Sequence, residues 1–402
     1  MKSLRVVFFT LAALLAGCIT VPIAQGQEQE QSQYRVIQLG TFGGNSSAGN
    51  GINNRGWVTG TANLAGDQAE HAALWIDGLR FDLGTLGGDN SAVLFPVKGN
   101  TGKVAGVAET STIDPLGEEW SCSFFFPTLT GHTCQGFVWN GHMIPLNTLG
   151  GNNSFAAGNN DLGQIVGWAE NATQDPTCAG ANGRNQVLQF EPVIWGPDGT
   201  VQQQLPPYLD DPDGAAVAIN DLGQVVGISG LCDQAVGRFT AKHAVIWENG
   251  IPTDLGNFGG IAWNTPVAIN QQGQAAGFSD FPGDDDGSLN SHAFFWTKQS
   301  GIQDLKTLPG DSISLGLGMN DRGQVVGESI GPNGARAFLW ENGTLIDLNR
   351  ILPAGSSLTL LFAGDINDRG EITGGFIDQN SVECGPSTLG CAFLAVPASG
   401  GK

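Results

Sequence analysis

The side chains able to do chemistry are few and dispersed. Five histidines occur, His71, His132, His142, His243 and His292. Three of them (His71, His243 and His292) open the same aromatic motif in different parts of the chain, as a polar strand-start residue would, so they do not read as a catalytic set. Hydrolytic triads need a nucleophile beside a base, and glycosidases need two carboxylates flanking one bond. No Gly-x-Ser-x-Gly, His-Glu-x-x-His or phosphate loop is present. No catalytic or cofactor-binding residue is therefore assigned. Clustered carboxylates at Asp284, Asp285 and Asp286 are the candidates for Ca²⁺, which takes oxygen ligands, although the EF-hand spacing is absent. Asp210, Asp211 and Asp213 with the loop tryptophans Trp120 and Trp263 are candidates for ligand contact. Asp221, Asp321 and Asp368 fall in Asn-Asp turns, where turn geometry already accounts for them.

The cysteines point to export. Lys2 and Arg5 precede an apolar stretch, Val6 to Gly17, too short to span a bilayer. Residues 1–26 read as a signal peptide with two possible exits. Leu15-Ala16-Gly17-Cys18 resembles a lipobox that would lipidate Cys18, and Ala24-Gln25-Gly26 suits ordinary signal peptidase. Six cysteines remain, an even number suited to an oxidising compartment. Proximity pairs Cys122 with Cys134, Cys384 with Cys391, and Cys178 with Cys232. No Cys-x-x-Cys spacing supports zinc.

The elements that position these groups come from a repeat. Three pieces recur seven times in order: Asp82-Leu83-Gly84-Thr85-Leu86-Gly87-Gly88, Ala218-Ile219-Asn220-Asp221-Leu222-Gly223-Gln224-Val225-Val226-Gly227, and His292-Ala293-Phe294-Phe295-Trp296. Gly60, Gly106, Gly167, Gly227, Gly277, Gly327 and Gly374 mark a period of roughly 46 to 61 residues, near that of propeller blades. Asn53, Asn100, Asn160, Asn220, Asn270, Asn320 and Asn367 mark the preceding turn. Two apolar runs around an Asn/Asp/Gly turn make one hairpin, and Val245 to Leu255 around Asn249-Gly250 make a second. Four strands per copy, lettered a to d from the axis outward, predict an all-β, seven-bladed β-propeller. The N-terminal strand at Arg35 to Gly40 closes the ring by joining the last blade. An open β-solenoid is the competing architecture. The propeller occupies residues 34–397 (copies 34–78, 79–141, 142–199, 200–250, 251–301, 302–343 and 344–397), after a polar leader, 27–33, and before a tail, 398–402.

These motifs, from His71-Ala72-Ala73-Leu74-Trp75 to Arg336-Ala337-Phe338-Leu339-Trp340, each upstream of an Asp-Leu motif, resemble the HAF repeat of predicted bacterial extracellular proteins. The resemblance implies secretion or surface exposure, and no activity.

Net charge is −21, and the 17 basic residues are scattered. That argues against nucleic acid, which needs a basic stripe, and against anionic lipid, leaving a lipid anchor as the membrane link. Long inserts between strands b and c share one disc face with the d–a loops. The expectation is an exported, non-catalytic scaffold whose insert-bearing face binds an extracellular protein or glycan. A glycosidase or lyase on the same scaffold predicts instead several carboxylates from different blades facing one central pocket, and a structural surface protein predicts no pocket.

Overall fold

The computed structural model describes residues 34–398, except 119–124, 179–185, 233–240, 284–289 and positions 354, 387 and 389. These residues form seven four-stranded antiparallel sheets. Blade 1 shows the pattern, with strands a to d at Gly43–Ile52, Val58–Leu64, Glu70–Ile76 and Leu79–Asp82. Blades 2 to 6 follow at residues 87–145, 150–204, 213–254, 265–304 and 313–347. Blade 7 takes Leu358–Ile366, Ile372–Asp378 and Cys391–Pro397 as strands a to c. Its fourth strand is Tyr34–Gln38, paired in register from Tyr34 with Pro397 to Gln38 with Phe393. The chain is therefore a closed seven-bladed propeller, and the solenoid is excluded.

Each piece of the repeat has a packing reason. The marker glycine faces a bulge in strand a, as at Ala216/Ala218 opposite Gly227. A Cβ on Gly227 would lie 1.9 Å from the Ala215 carbonyl oxygen, and one on Gly60 1.8 Å from that of Ala48. Only glycine lets strand b approach so closely. The strand-c tryptophans fill the wedge between blades. Trp75, Trp195 and Trp247 are almost fully buried. Their indole N–H groups donate to Leu39, Asn147 and Pro206 carbonyls in the connection leaving the preceding blade, which satisfies the one polar atom each ring carries inward.

Cys178–Cys232 and Cys384–Cys391 are disulfides, bonds that persist in an oxidising compartment. The first ties the inserts of blades 3 and 4. Cys134 is buried, and its expected partner Cys122 lies outside the described residues, as does Cys18. Among the described residues no helix is long and apolar enough to cross a membrane.

Candidate functional site

Strand a runs outward to the a–b turn, so seven such turns ring the axis on the face opposite the inserts. Aligned on the marker glycine, the turns place Asn53, Asn160, Asn220, Asn270, Asn320 and Asn367 in one position. Blade 2 differs from the sequence expectation: Gly99 holds that place, and Asn100 sits one residue later, level with Asn54 and Asp161. The asparagine caps its own turn, since Asn220 Oδ1 accepts from Leu222 N and Gln224 N at 3.1 and 3.0 Å. Its amide also reaches the next blade. Asn220, Asn320 and Asn367 donate to the carbonyls of Asn270, Asn367 and Asn53 at 2.9 to 3.0 Å.

The following position closes a ring of its own. Each backbone N–H donates to the side-chain oxygen at the same position one blade on. Asn54 donates to Asn100, Asn100 to Asp161, Asp161 to Asp221, Asp221 to Gln271, Gln271 to Asp321, Asp321 to Asp368, and Asp368 back to Asn54. Bond lengths are 2.8 to 3.1 Å apart from the shorter Asn100–Asp161 contact. This seven-membered girdle rims an axial cavity of about 240 Å³. Asp161, Asp221, Asp321 and Asp368, from four blades, all line it, with Lys98.

Lys98 extends from blade 2 past blade 1. Its Nζ lies 2.5 Å from Asp365 Oδ1 and donates to the Ile366 carbonyl at 2.7 Å. Asp365 is fully buried and accepts from Ile52 N at 2.9 Å, so one ammonium and one N–H hold the charge that burial disfavours.

The four rim carboxylates are not equivalent. Second oxygens of Asp161, Asp221 and Asp368 accept from the amides of Asn100, Gln271 and Asn54. Asp321 stands between Gln271, whose amide is committed to Asp221, and Asp368, another carboxylate. No side chain among the described residues donates to its second oxygen. Partial burial raises its pKa, and the charges of Asp368 and Asp221 raise it further against the Gln271 N–H and Lys98. A carboxyl held protonated to higher pH in this way can serve as a general acid. Among the described residues that line it there is no serine, cysteine or histidine. No three of these carboxylates bring oxygens within 4.8 Å of one another, so they form no ready metal cage.

The residues singled out from sequence divide into described and undescribed ones. Asp284, Asp285, Asp286 and Trp120 fall outside the described residues. Asp211 accepts from Ser229 Oγ at 2.8 Å, and buried Asp213 accepts from Phe190 N and Gln186 Nε2 at 2.9 and 3.1 Å. Asp210 is exposed, and Trp263 packs on Phe278 with ring centroids 6.1 Å apart. None of these four described residues lines the axial cavity. The motif histidines pair within their own blades. Nδ1 of His71, His243 and His292 lies 2.8 to 3.0 Å from Asp82, Asp254 and Asp304, and Arg336 makes the same contact with Asp347 at 3.0 Å. The histidine of one motif thus holds the aspartate of the next.

No protein-family model and no curated protein matches the chain. Solved structures do. The acylaminoacyl peptidase of Pyrococcus horikoshii is 11% identical, with a TM-score of 0.48, over 85% of this chain and 52% of that one. The β-propeller domain of the Trilobed protease from Pyrococcus furiosus is 11% identical, with a TM-score of 0.49, over 88% and 94%. The gluconolactonase XC5397 of Xanthomonas campestris is 10% identical, with a TM-score of 0.37, over 92% of each. This chain spans about half the length of the acylaminoacyl peptidase. At these identities the likeness is one of fold.

The expectation of a non-catalytic scaffold working through its insert-bearing face is corrected. An axial cavity lined by four aspartates and Lys98 opens on the opposite face. Two carboxylates on the insert face hold loops. Glu109 accepts from Asp89 N and Asn90 N, and Glu170 does the same for Asn152 N and Asn153 N.

Proposed function

We propose that the protein is a glycoside hydrolase whose active site is the axial cavity on the a–b turn face. One observation carries the reading. The girdle needs only a side-chain oxygen at each position, and Asn54, Asn100 and Gln271 supply it uncharged. Four aspartates place like charges around one mouth that hydrogen bonding does not require, at a cost in mutual repulsion. Charge kept against repulsion in a concave, amide-lined site fits acid–base chemistry on a polar, neutral substrate. Asp321, which holds its proton to higher pH than an ordinary aspartate, is the general acid. Asp221 or Asp368 is the base or nucleophile. Lys98 and the rim amides orient hydroxyl groups. An anionic mouth repels uronates, so a glycosidase is favoured over a lyase.

The work is done outside the cytoplasm, a reading supported by the disulfides and the signal-like N-terminus. Membership of the HAF-repeat family, supported by the His–Asp pairing of its motifs, and attachment through lipidated Cys18 or free secretion belong to the same proposal. Reducing-sugar release from a panel of neutral polysaccharides (glucans, mannans, xylans and chitin) tests it. Release from at least one is expected, and inertness toward all of them contradicts the reading.

A further inference from the structure

The a–b turn face carries a second concavity, between blades 1 and 2. It encloses about 210 Å³ and is walled by Trp57, Ile76, Phe81 and Trp139, with Asn140 and Gly141 at the rim. The corresponding groove between blades 4 and 5 is polar, lined by Gln224, Glu248, Gln274 and Lys298 beside Trp296. That groove encloses about 230 Å³, and polar contacts run along its wall: Gln224 Nε2 donates to Glu248 at 2.7 Å, and Lys298 Nζ donates to Glu248 at 2.8 Å. Counted from the marker glycine, Trp57 stands where blade 4 has Gln224; counted from the strand-c tryptophan, Ile76 stands where it has Glu248. Gly141 takes the place of Lys298. Blades 3 to 6 all have glutamine at the first of these positions, Gln164, Gln224, Gln274 and Gln324.

The tryptophans respond to the change. Trp75, Trp195, Trp247, Trp296 and Trp340 are between 0 and 8% exposed, whereas Trp139 is only half-buried. Trp57 is also half-buried, with the Arg55 guanidinium 5.5 Å from its ring centroid. Phe81 is 40% exposed. The result is an aromatic trough with a polar rim where the blade 4–5 groove has a salt-bridged surface.

We propose that this trough is a sugar-binding subsite for an extended neutral glycan whose chain continues into the axial cavity. The inference rests on the hydrolase reading for the direction of that chain. Two turns connect the concavities: Asn54 and Asn100 line the axial cavity, while Trp57 and Gly102, two or three residues on, line the trough. The two concavities therefore share the same pair of turns. A sugar ring presents an apolar face of C–H groups and an equatorial belt of hydroxyls, which suit flat indoles and a rim of amide and guanidinium. The volume is below the roughly 300–1,000 Å³ of a pocket that holds a whole drug-sized ligand, so it suits one unit of a longer chain.

The test uses Trp57→Gln, which restores the residue that blades 3 to 6 carry and so retains the fold. Probes are cello-, xylo-, manno- and chito-oligosaccharides of two to six units. Binding is measured by calorimetry and tryptophan fluorescence on the intact protein and on Asp321→Asn, which silences turnover. At least one hexasaccharide should bind wild type and Asp321→Asn more tightly than its disaccharide. Trp57→Gln should weaken the hexasaccharide about tenfold or more, leave the disaccharide unchanged and abolish the fluorescence shift. Equal loss for both lengths, no loss, or no binding by any probe overturns the subsite. Length-dependent binding that Trp57→Gln removes, in a protein that hydrolyses nothing, sustains the subsite and rejects the hydrolase. Hydrolysis whose KM for hexasaccharide is indifferent to Trp57→Gln does the reverse.

Discussion

A single carboxyl shows how burial sets the chemistry of this chain. Glu70 is about nine-tenths buried at the start of strand c in blade 1, and desolvation pushes its pKa up to about 8. The folded state thus keeps a proton that the unfolded chain releases near 4.5. Where the native state binds more protons, stability falls as pH rises. The loss runs from about 4.5 to about 8, at no more than about 1.4 kcal/mol per unit. Glu191 and Glu328, pushed to about 7, add to the same trend. Melting temperatures should decline from pH 5 to pH 8. Glu70→Gln, which cannot ionise, should gain on the wild type across that window. A parallel pair of melting curves would show that Glu70 is charged in the fold. Residue-level reading also explains what the sequence concealed. Asp221, Asp321 and Asp368 each have a sufficient local reason to exist in a turn. Their shared mouth depends on ring closure, which brings Asn54 beside Asp368 across 314 positions.

Among the elements, the hairpins were legible because their turn chemistry is local. Asn249-Gly250 and Asn342-Gly343 have positive φ at both residues, as a two-residue hairpin turn demands. The tight a–b pairing was visible only as a recurrent glycine, without its reason. That reason predicts the effect of Gly227→Ala. The added methyl would overlap the Ala215 carbonyl at a bulge that packing holds in place, at a cost of about 3 kcal/mol or more, read as a lower denaturation midpoint. Gly223→Ala in the same hairpin meets no atom within 4 Å and bears only the strain of its positive φ, so it should cost less. Blade 2 resisted reading, since Gly99 replaces the turn asparagine and Lys98 leaves the repeat to reach blade 7.

At the level of the whole molecule, closure and site are one construction. The strand Tyr34–Gln38 completes blade 7, and the girdle joins blade 7 to blade 1 through Asp368 and Asn54. Removing residues 34–38 would bare the edge of Cys391–Pro397, an open template for another chain. Such a variant should melt roughly 5 °C or more lower and self-associate on light scattering, and a monodisperse variant of unchanged stability would contradict closure by this strand. The propeller was legible from the repeats because each copy carries four strands. The axial cavity was not, since insert length draws attention to one side while the ring of turn aspartates forms on the other.

The most direct measurement is the pH–rate profile of glycan hydrolysis by wild type and Asp321→Asn. The variant keeps the girdle oxygen, as Asn54 and Asn100 do, so its melting temperature should stay within about 2 °C of wild type while activity falls at least ~10²-fold. The wild-type rate should decline as pH rises through the elevated pKa of Asp321, and the alkaline limb should vanish in any residual activity of the variant. Full activity in Asp321→Asn, or a profile unchanged by it, would remove the axial cavity from the chemistry.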